Sequence, residues 1–218
     1  MKVFLTGFDR FASLAFNPSE LVVSEIGRLA QRSLTTELVV QVLPTEYDRA
    51  GEMVSEQVRR IRPEVVLGTG VSVSAPTICL ERVALNIDDC DAADNAGSVR
   101  VGSPIDPHGP LALETTCDLR SVLERLQSRG FPSLISTHAG TYVCNHSYYI
   151  ALRALKDYGI TAKCMFVHFP LIAPAIRDCI NSGAFSWTVS ALVEAVKLII
   201  VELINQSACD SKRQAVPD

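Results

Sequence analysis

Cys144 is the residue of this sequence best suited to nucleophilic chemistry, because of the segment that surrounds it. The stretch Ala139-Gly-Thr-Tyr-Val-Cys144-Asn145 follows an apolar, strand-like run and opens into a helical pattern that continues to about Lys156. A thiol in the first turn of a helix lies near unpaired backbone N–H groups and the positive end of the helix dipole. Both favour the thiolate, and the same N–H groups can stabilise a developing oxyanion. The alternative is that Cys144 is a small buried apolar residue, the commoner fate of a free cysteine.

A thiol nucleophile needs a general base, and His168 is the best candidate among the four histidines. It lies at the carboxyl end of a predicted strand, two residues before Pro170. His108 is expected on a surface loop, and His138 lies in the turn before the Cys144 helix. His146 follows Cys144 by two helical positions, so its side chain should point away from the thiol.

Glu81 is the predicted acid that orients the imidazole of His168. It lies in the middle of the apolar run Ile78 to Ile87, where a carboxylate is costly unless it has a partner. The simpler interpretation is a salt bridge to an arginine, and Arg82 is adjacent. Successive strand residues face opposite sides, however, so Arg82 is poorly placed to pair with Glu81. Spacing therefore favours a set of Cys144, His168 and Glu81.

Other candidate residues follow predicted strands. Phe8 and Phe11 lie in an aromatic loop after the first strand, where they could form the floor of a ligand pocket or cover the edge of the core. Asn17 precedes Pro18 and is the predicted cap of the next helix. Gly70 follows the third strand and would permit a close backbone approach.

The composition excludes several classes of function. The 218 residues have a net charge of −4, with 48% hydrophobic and 20% charged residues, which provides no basic surface for nucleic acid. The apolar run at the N-terminus is too short for the core of a signal peptide. The longest apolar stretch, Ala191 to Ile204, is interrupted by charges, which argues against a transmembrane helix. We therefore expect a cytoplasmic protein that binds no membrane. The seven cysteines lack metal-site spacing, so we expect no metal.

Strands and helices alternate along the chain, which predicts a three-layer α/β fold with an open, twisted, mostly parallel sheet and helices on both faces. We expect a single domain over residues 1–206 and a polar, flexible tail over residues 207–218. In such folds the functional crevice lies beyond the carboxyl ends of the strands, where Phe8, Gly70, Cys144 and His168 are all predicted. The loop predicted for residues 88–110 could act as a lid or an oligomer contact.

Several motifs together resemble pyroglutamyl peptidase I, the pyrrolidone-carboxylate peptidase family of cysteine peptidases. They are Thr6-Gly-Phe-x-x-Phe11 with Asn17-Pro18, the segment Glu81 to Asp88, Asp94-Asn95, Ala139 to Asn145, and Val167-His-Phe-Pro170. They occur in the family's order and spacing from Met1 to about Asn205. The resemblance implies removal of N-terminal 5-oxoproline from small peptides by thiol acyl transfer. It also implies a cytoplasmic homo-oligomer, a tetramer or a dimer, that needs no cofactor.

The resemblance also implies roles for individual residues. Cys144 matches the nucleophile, His168 the base and Glu81 the orienting acid. Phe8 and Phe11 match the aromatic residues that hold the lactam ring. We expect further substrate contacts at Asn17, which lies in the same loop, at Gly70 and at Val143.

The sequence departs from the family's pattern around this set. Val71 and Ala75 replace a glutamine and an arginine in the loop after Gly70, and Asp91 replaces an arginine that is implicated near the oxyanion. Loss of one such donor should cost about 3 kcal/mol, or a hundredfold in rate, unless another cation compensates. Two alternatives therefore stay open. One is a divergent member that acts on another N-terminal residue or amide, and the other is a catalytically weak binding or assembly homologue.

Overall fold

A computed structural model of the chain describes residues 1–11, 15–30, 36–172 and 187–214. The helices are α1 (Pro18–Ala30), α2 (Tyr47–Ile61), α3 (Leu119–Ser128), α4 (Val143–Asp157) and α5 (Val189–Gln214). The strands are β1 (Lys2–Phe8), β2 (Glu37–Leu43), β3 (Val65–Val71), β4 (Ile78–Leu85), β5 (Asp88–Cys90), β6 (Arg100–Ser103), β7 (Ala112–Glu114), β8 (Ser133–His138) and β9 (Lys163–Phe169).

Seven of the strands in the described part of the chain form one sheet, in the order β2-β1-β3-β9-β4-β7, with β8 also paired to β4. The pairings of β1 with β2, β1 with β3, β3 with β9 and β4 with β8 are parallel. β4 runs antiparallel to both β9 and β7. The prediction of an α/β fold with a mostly parallel sheet is confirmed, and β4 is where the strand direction reverses.

Helices cover both faces of this sheet. One core cluster joins the sheet to α1, α3 and α5, and the other joins it to α2 and α4. Because side chains alternate along a strand, β9 directs Val167 into the first cluster and Phe166 into the second. We call the second side, covered by α2 and α4, the α4 face.

The segment predicted as a loop over residues 88–110 contains a second, two-stranded sheet. β5 and β6 pair antiparallel, with Asp88 opposite Ser103 and Cys90 opposite Arg100. Beyond it, the side chain of Asn86 donates to the Asp106 carbonyl at 2.7 Å and accepts from the Asp106 N–H at 2.8 Å. Strands of three and four residues are too short to produce a recognisable alternation in the sequence.

The C-terminal helix is longer than predicted. The start predicted at Ser186 lies outside the described residues, but α5 continues past the predicted end at Asn205 to Gln214. Residues 207–214 are therefore helical, and 215–218 lie outside the described part. An ion pair of 2.5 Å between Lys163 Nζ and Asp210 Oδ2 ties this extension to β9. Within the described residues, no helix is both long and apolar enough to cross a membrane.

Asn17 caps α1, as predicted. The residue is 1% exposed, and its Oδ1 accepts from the backbone N–H of Ser19 at 3.0 Å and from the Ser19 hydroxyl at 2.8 Å. Its Nδ2 donates to the carbonyl of Asp9 at 2.8 Å. This cap ties the start of α1 to Asp9, the residue after β1.

We expect Asn17→Ala to lower the free energy of unfolding by about 1–2 kcal/mol, because the cap of α1 is lost. Urea denaturation would measure the change. The matched control is Asn205→Ala, since Asn205 is exposed within α5 and its loss should change stability by less than about 0.5 kcal/mol. Equal effects of the two substitutions would contradict the capping role.

Candidate active site

Cys144, His168 and Glu81 meet on the α4 face of the sheet. β9 and β4 are antiparallel neighbours, with Phe166 opposite Glu81. Alternation along both strands turns His168 and Glu81 towards α4, which carries Cys144 in its first turn. His168 Nδ1 lies 2.8 Å from Glu81 Oε1, and the Cys144 thiol is close enough to the same imidazole to raise its pKa. The imidazole therefore bridges the thiol and the carboxylate.

The two partners of His168 favour its charged form. Burial by itself lowers the pKa of His168, but the hydrogen bonds and charges of Cys144 and Glu81 outweigh burial and raise this pKa to about 9. Glu81 is only 3% exposed, so its charge depends on such a partner. Arg82 faces the other way and lies 3.8 Å from Glu114, as strand alternation predicted.

β8, the strand before Cys144, does not run in the same direction as the strands that precede the other candidate residues, contrary to the prediction. Phe8, Gly70 and His168 lie at the carboxyl ends of three strands that run in the same direction. β8 runs the opposite way, because it is parallel to β4, which is antiparallel to β9. The turn after β8 and the start of α4 therefore bring Cys144 to the others, rather than a shared strand end.

The first turn of α4 is well suited to bind an oxyanion. Tyr142 is its N-cap residue, and the Tyr142 side chain accepts no hydrogen bond from the turn. The adjacent N–H groups are thus left uncapped by that side chain. The wholly buried Asn145 fixes the turn, because its Oδ1 accepts from Leu85 N at 2.8 Å and its Nδ2 donates to the carbonyls of Leu85 and Ile87 at 2.9 and 3.2 Å.

Gly70 is in close contact with the candidate nucleophile. A methyl group at this position would lie 2.8 Å from the Cys144 sulfur and 3.2 Å from the ring of Phe166. Gly68, two residues earlier on the same face, leaves room for the Phe166 ring in the same way, since a methyl group there would lie 2.5 Å from it. The backbone of β3 therefore forms one wall beside the thiol, as the predicted close approach at Gly70 requires.

The aromatic residues divide into a buried pair and a more accessible pair. Phe8 is 2% exposed and its ring lies 6.5 Å from that of Phe166, which in turn lies 5.0 Å from the imidazole of His168. Phe11 is half-buried, and its ring lies 6.2 Å from that of Tyr142. Phe11 and Tyr142 could therefore contact a ligand, whereas Phe8 packs in the core beneath the site.

Two other predicted contact residues have no accessible side chain. The polar atoms of Asn17 are engaged in the cap of α1, and Val143 is wholly buried. Val143 could reach a ligand only through its backbone N–H. Both side chains therefore support the site from within the core.

A polar cluster behind the first turn of α4 is a feature that the sequence analysis missed. Asp88 is wholly buried, and its Oδ2 lies 2.9 Å from His146 Nδ1 and 2.9 Å from Arg100 Nη1. His146 therefore points away from the thiol, as predicted. In the sequence, the sign of this cluster is Arg100, which alternates with Val99 and Val101. Both valines are exposed in the structure, and such an alternation is typical of many surface strands.

The three departures from the family's pattern lie in different environments. Val71 ends β3 and is 8% exposed within the core. Ala75 is in the turn that follows, where its N–H donates to the carbonyl of Ser72. Asp91 is exposed in the bend after β5, so its charge is solvated.

Comparisons with known proteins agree with this geometry. The family model for pyroglutamyl peptidase matches residues 1–206. Pyrrolidone-carboxylate peptidase 1 of Caldanaerobacter subterraneus subsp. tengcongensis is 32% identical over 92% of this chain and 98% of its own length. The corresponding enzyme of Bacillus mycoides is 31% identical over 91% of this chain and 90% of its own.

Solved structures show the same likeness. The structure of pyrrolidone carboxyl peptidase from the hyperthermophile Pyrococcus furiosus superposes with a TM-score of 0.87 at 29% identity, covering 95% of this chain and all of the other. The match extends over nearly the whole chain rather than over a single motif. This chain therefore belongs to the pyroglutamyl peptidase family of cysteine peptidases.

Proposed function

We propose that this protein removes pyroglutamate from the N-terminus of small peptides, with Cys144 as nucleophile, His168 as general base and acid, and Glu81 as the group that orients His168. The observation that carries the proposal is the continuous contact from the Cys144 thiol through His168 to the buried Glu81 carboxylate. Two supporting facts are membership of the family and the uncapped first turn of α4. Neither alternative function is favoured by an observation of this kind.

The acylation step follows from the geometry. The Cys144 sulfur attacks the carbonyl carbon of the pyroglutamyl residue, and the N–H groups at the start of α4 stabilise the oxyanion. The protonated His168 then donates its proton to the departing amine nitrogen as the carbon–nitrogen bond breaks. The products of this step are a thioester on Cys144 and the shortened peptide.

Hydrolysis of the thioester completes the cycle. His168 takes a proton from water, whose oxygen attacks the thioester carbon, and the carbon–sulfur bond breaks. The proton on His168 balances the thiolate that is released, which restores the starting pair. Throughout, Glu81 holds Nδ1 of the imidazole, so that the other ring nitrogen faces the sulfur.

The substrate should be recognised by the neutral, flat lactam ring. The rings of Phe11 and Tyr142 supply apolar surface beside the site. An ordinary N-terminus would bring a charged ammonium against this surface, and its desolvation is costly without a partner. Gly70 lets the Cys144 thiol lie close against the backbone of β3.

We also expect the protein to be cytoplasmic, to need no cofactor, and to form a homo-oligomer, a tetramer or a dimer. The composition and the family support these expectations.

The decisive test is cleavage of a fluorogenic pyroglutamyl amide, with alanyl and prolyl amides measured beside it. We expect turnover of the pyroglutamyl amide alone, and Cys144→Ala should lower kcat by roughly 10⁴-fold or more, because the nucleophile is lost. The matched control is Cys209→Ala, since Cys209 is exposed on α5 and should be dispensable. If the folded wild type alkylates rapidly at Cys144 but does not cleave this amide, the substrate assignment is wrong.

The role of Glu81 has a signature in the pH profile. Because Cys144 and Glu81 raise the pKa of His168 to about 9, the imidazolium of His168 persists below that pH and is lost as the pH rises through it. We expect kcat/KM to fall on the alkaline side near this value. Glu81→Gln removes one of the groups that raise the pKa, so this limb should move to lower pH, and kcat should drop roughly a hundredfold or more because the imidazole is no longer oriented.

The matched control for Glu81→Gln is Glu114→Gln, since Glu114 is exposed on β7. This control should leave both the rate and the limb in place. An unchanged alkaline limb in Glu81→Gln would contradict the assignment of Glu81.

Gly70→Ala tests the wall beside the thiol. The added methyl group would lie 2.8 Å from the Cys144 sulfur, so the thiol must move and kcat should fall by about a hundredfold. Gly27→Ala is the control, because the atom nearest to a methyl group at that helical position belongs to the Val40 side chain, at an ordinary contact distance of 3.4 Å. Equal activity of the two variants would show that the close contact at Gly70 is irrelevant to turnover.

A further inference from the structure

Arg100 is directed from the two-stranded sheet into the back of the active site. Its side chain is 21% exposed, whereas the flanking Val99 and Val101 are 51% and 71% exposed. Its Nη1 lies 2.9 Å from Asp88 Oδ2, its Nη2 lies 2.6 Å from Asp48 Oδ2, and its guanidinium lies 4.7 Å from the centre of the Tyr47 ring. This arginine thus contacts both β5 and the start of α2.

Asp88 requires a cation at this point. Its carboxylate is wholly buried, and a buried charge is costly unless it is paired and hydrogen-bonded. In the described part of the chain, its charged or ionisable hydrogen-bond partners are Arg100 and His146. Arg100 is charged at every relevant pH, so it can neutralise Asp88 whatever the protonation state of His146.

Two contacts connect this pair to the nucleophile. His146 lies two residues after Cys144 on α4, and Asp88 holds its Nδ1 at 2.9 Å. On the other side of the thiol, the ring of Tyr142, the N-cap of α4, packs edge-on against Tyr47 at 5.4 Å, and Tyr47 lies under the guanidinium of Arg100. Arg100 therefore supports the residues on both sides of Cys144.

We propose that Arg100 is a positioning residue for Cys144, because by neutralising Asp88 it fixes the first turn of α4 at the distance from His168 that catalysis needs. The proposal extends the proposed function and rests on it.

Arg100 lies across the two-stranded sheet from a position close to one of the departures from the family's pattern. Arg100 is the cross-strand partner of Cys90, which immediately precedes Asp91. The family's arginine is expected at position 91, where this chain has an exposed aspartate. In this protein the cation beside Asp88 is Arg100, which β6 supplies across the two-stranded sheet.

A double-mutant cycle of Arg100→Gln and Asp88→Asn tests the proposal. The primary measurement is the rate at which iodoacetamide alkylates Cys144, followed by peptide mass spectrometry, because it needs no substrate. In parallel, kcat and KM for the pyroglutamyl amide are measured per active thiol. A role limited to overall stability would change the amount of folded protein but not these rates.

We expect Arg100→Gln to slow both alkylation and kcat by about tenfold while KM stays within about twofold, because the thiol is displaced relative to His168. In the Asp88→Asn background the same substitution should cost less than about twofold, since a neutral side chain at 88 needs no cation. Arg100→Lys keeps the charge and should recover much of the loss, and it serves as the test variant if Arg100→Gln folds poorly.

Arg125→Gln is the matched control. Arg125 forms a comparable ion pair of 2.8 Å with Glu202, and its side chain is 30% exposed, but it lies on α3 on the other face of the sheet. This variant should alkylate at the wild-type rate. Wild-type alkylation and kcat in Arg100→Gln, or an equal loss in both Asp88 backgrounds, would overturn the proposal. A wild type that alkylates but does not cleave the amide would refute the proposed function, while the alkylation cycle would still decide the role of Arg100.

Discussion

The ion pair between Glu81 and His168 is the interaction on which the active site depends. A carboxylate that is 3% exposed has little access to water, so the imidazole beside it must supply both a hydrogen bond and a positive charge. Against the lowering effect of burial, the Cys144 thiol and this contact with Glu81 together raise the pKa of His168. A buried acid in a β-strand, which by itself destabilises the fold, thereby keeps the imidazole charged and oriented.

This pair exists because the sheet reverses direction at β4. An antiparallel neighbour brings the middle of β4 beside the last residues of β9, so Glu81 lies close to His168 although 87 residues separate them in sequence. In a wholly parallel sheet, β4 would run in the same direction as β9 and would pair with it in a different register. β8 is parallel to β4 and therefore also runs opposite to β9. The turn after β8 and the start of α4 then bring Cys144 to the site.

The thiol is held by backbone and polar contacts rather than by its own packing. Gly70 allows β3 to approach the sulfur, and Asn145 forms two hydrogen bonds to Leu85, at the end of β4, and a third to Ile87. Behind the same turn, Asp88 holds His146 and is itself neutralised by Arg100. Two separate polar groups thus fix one helical turn, which limits how far Cys144 can move relative to His168.

The sequence by itself determined the local elements and the reactive residues. The amphipathic pattern and Pro63 set the limits of α2 at Tyr47–Ile61, as predicted, and Asn17 was identified as a cap, because these signals depend on neighbouring residues. The set of Cys144, His168 and Glu81 followed from residue type, position near element ends and family resemblance. Only the tertiary structure decided the direction of β4, the burial of Phe8 and Val143, and the contact of Arg100 with Asp88. These depend on which strands pair and which face each side chain takes, and such long-range pairings leave no periodic signal in the chain.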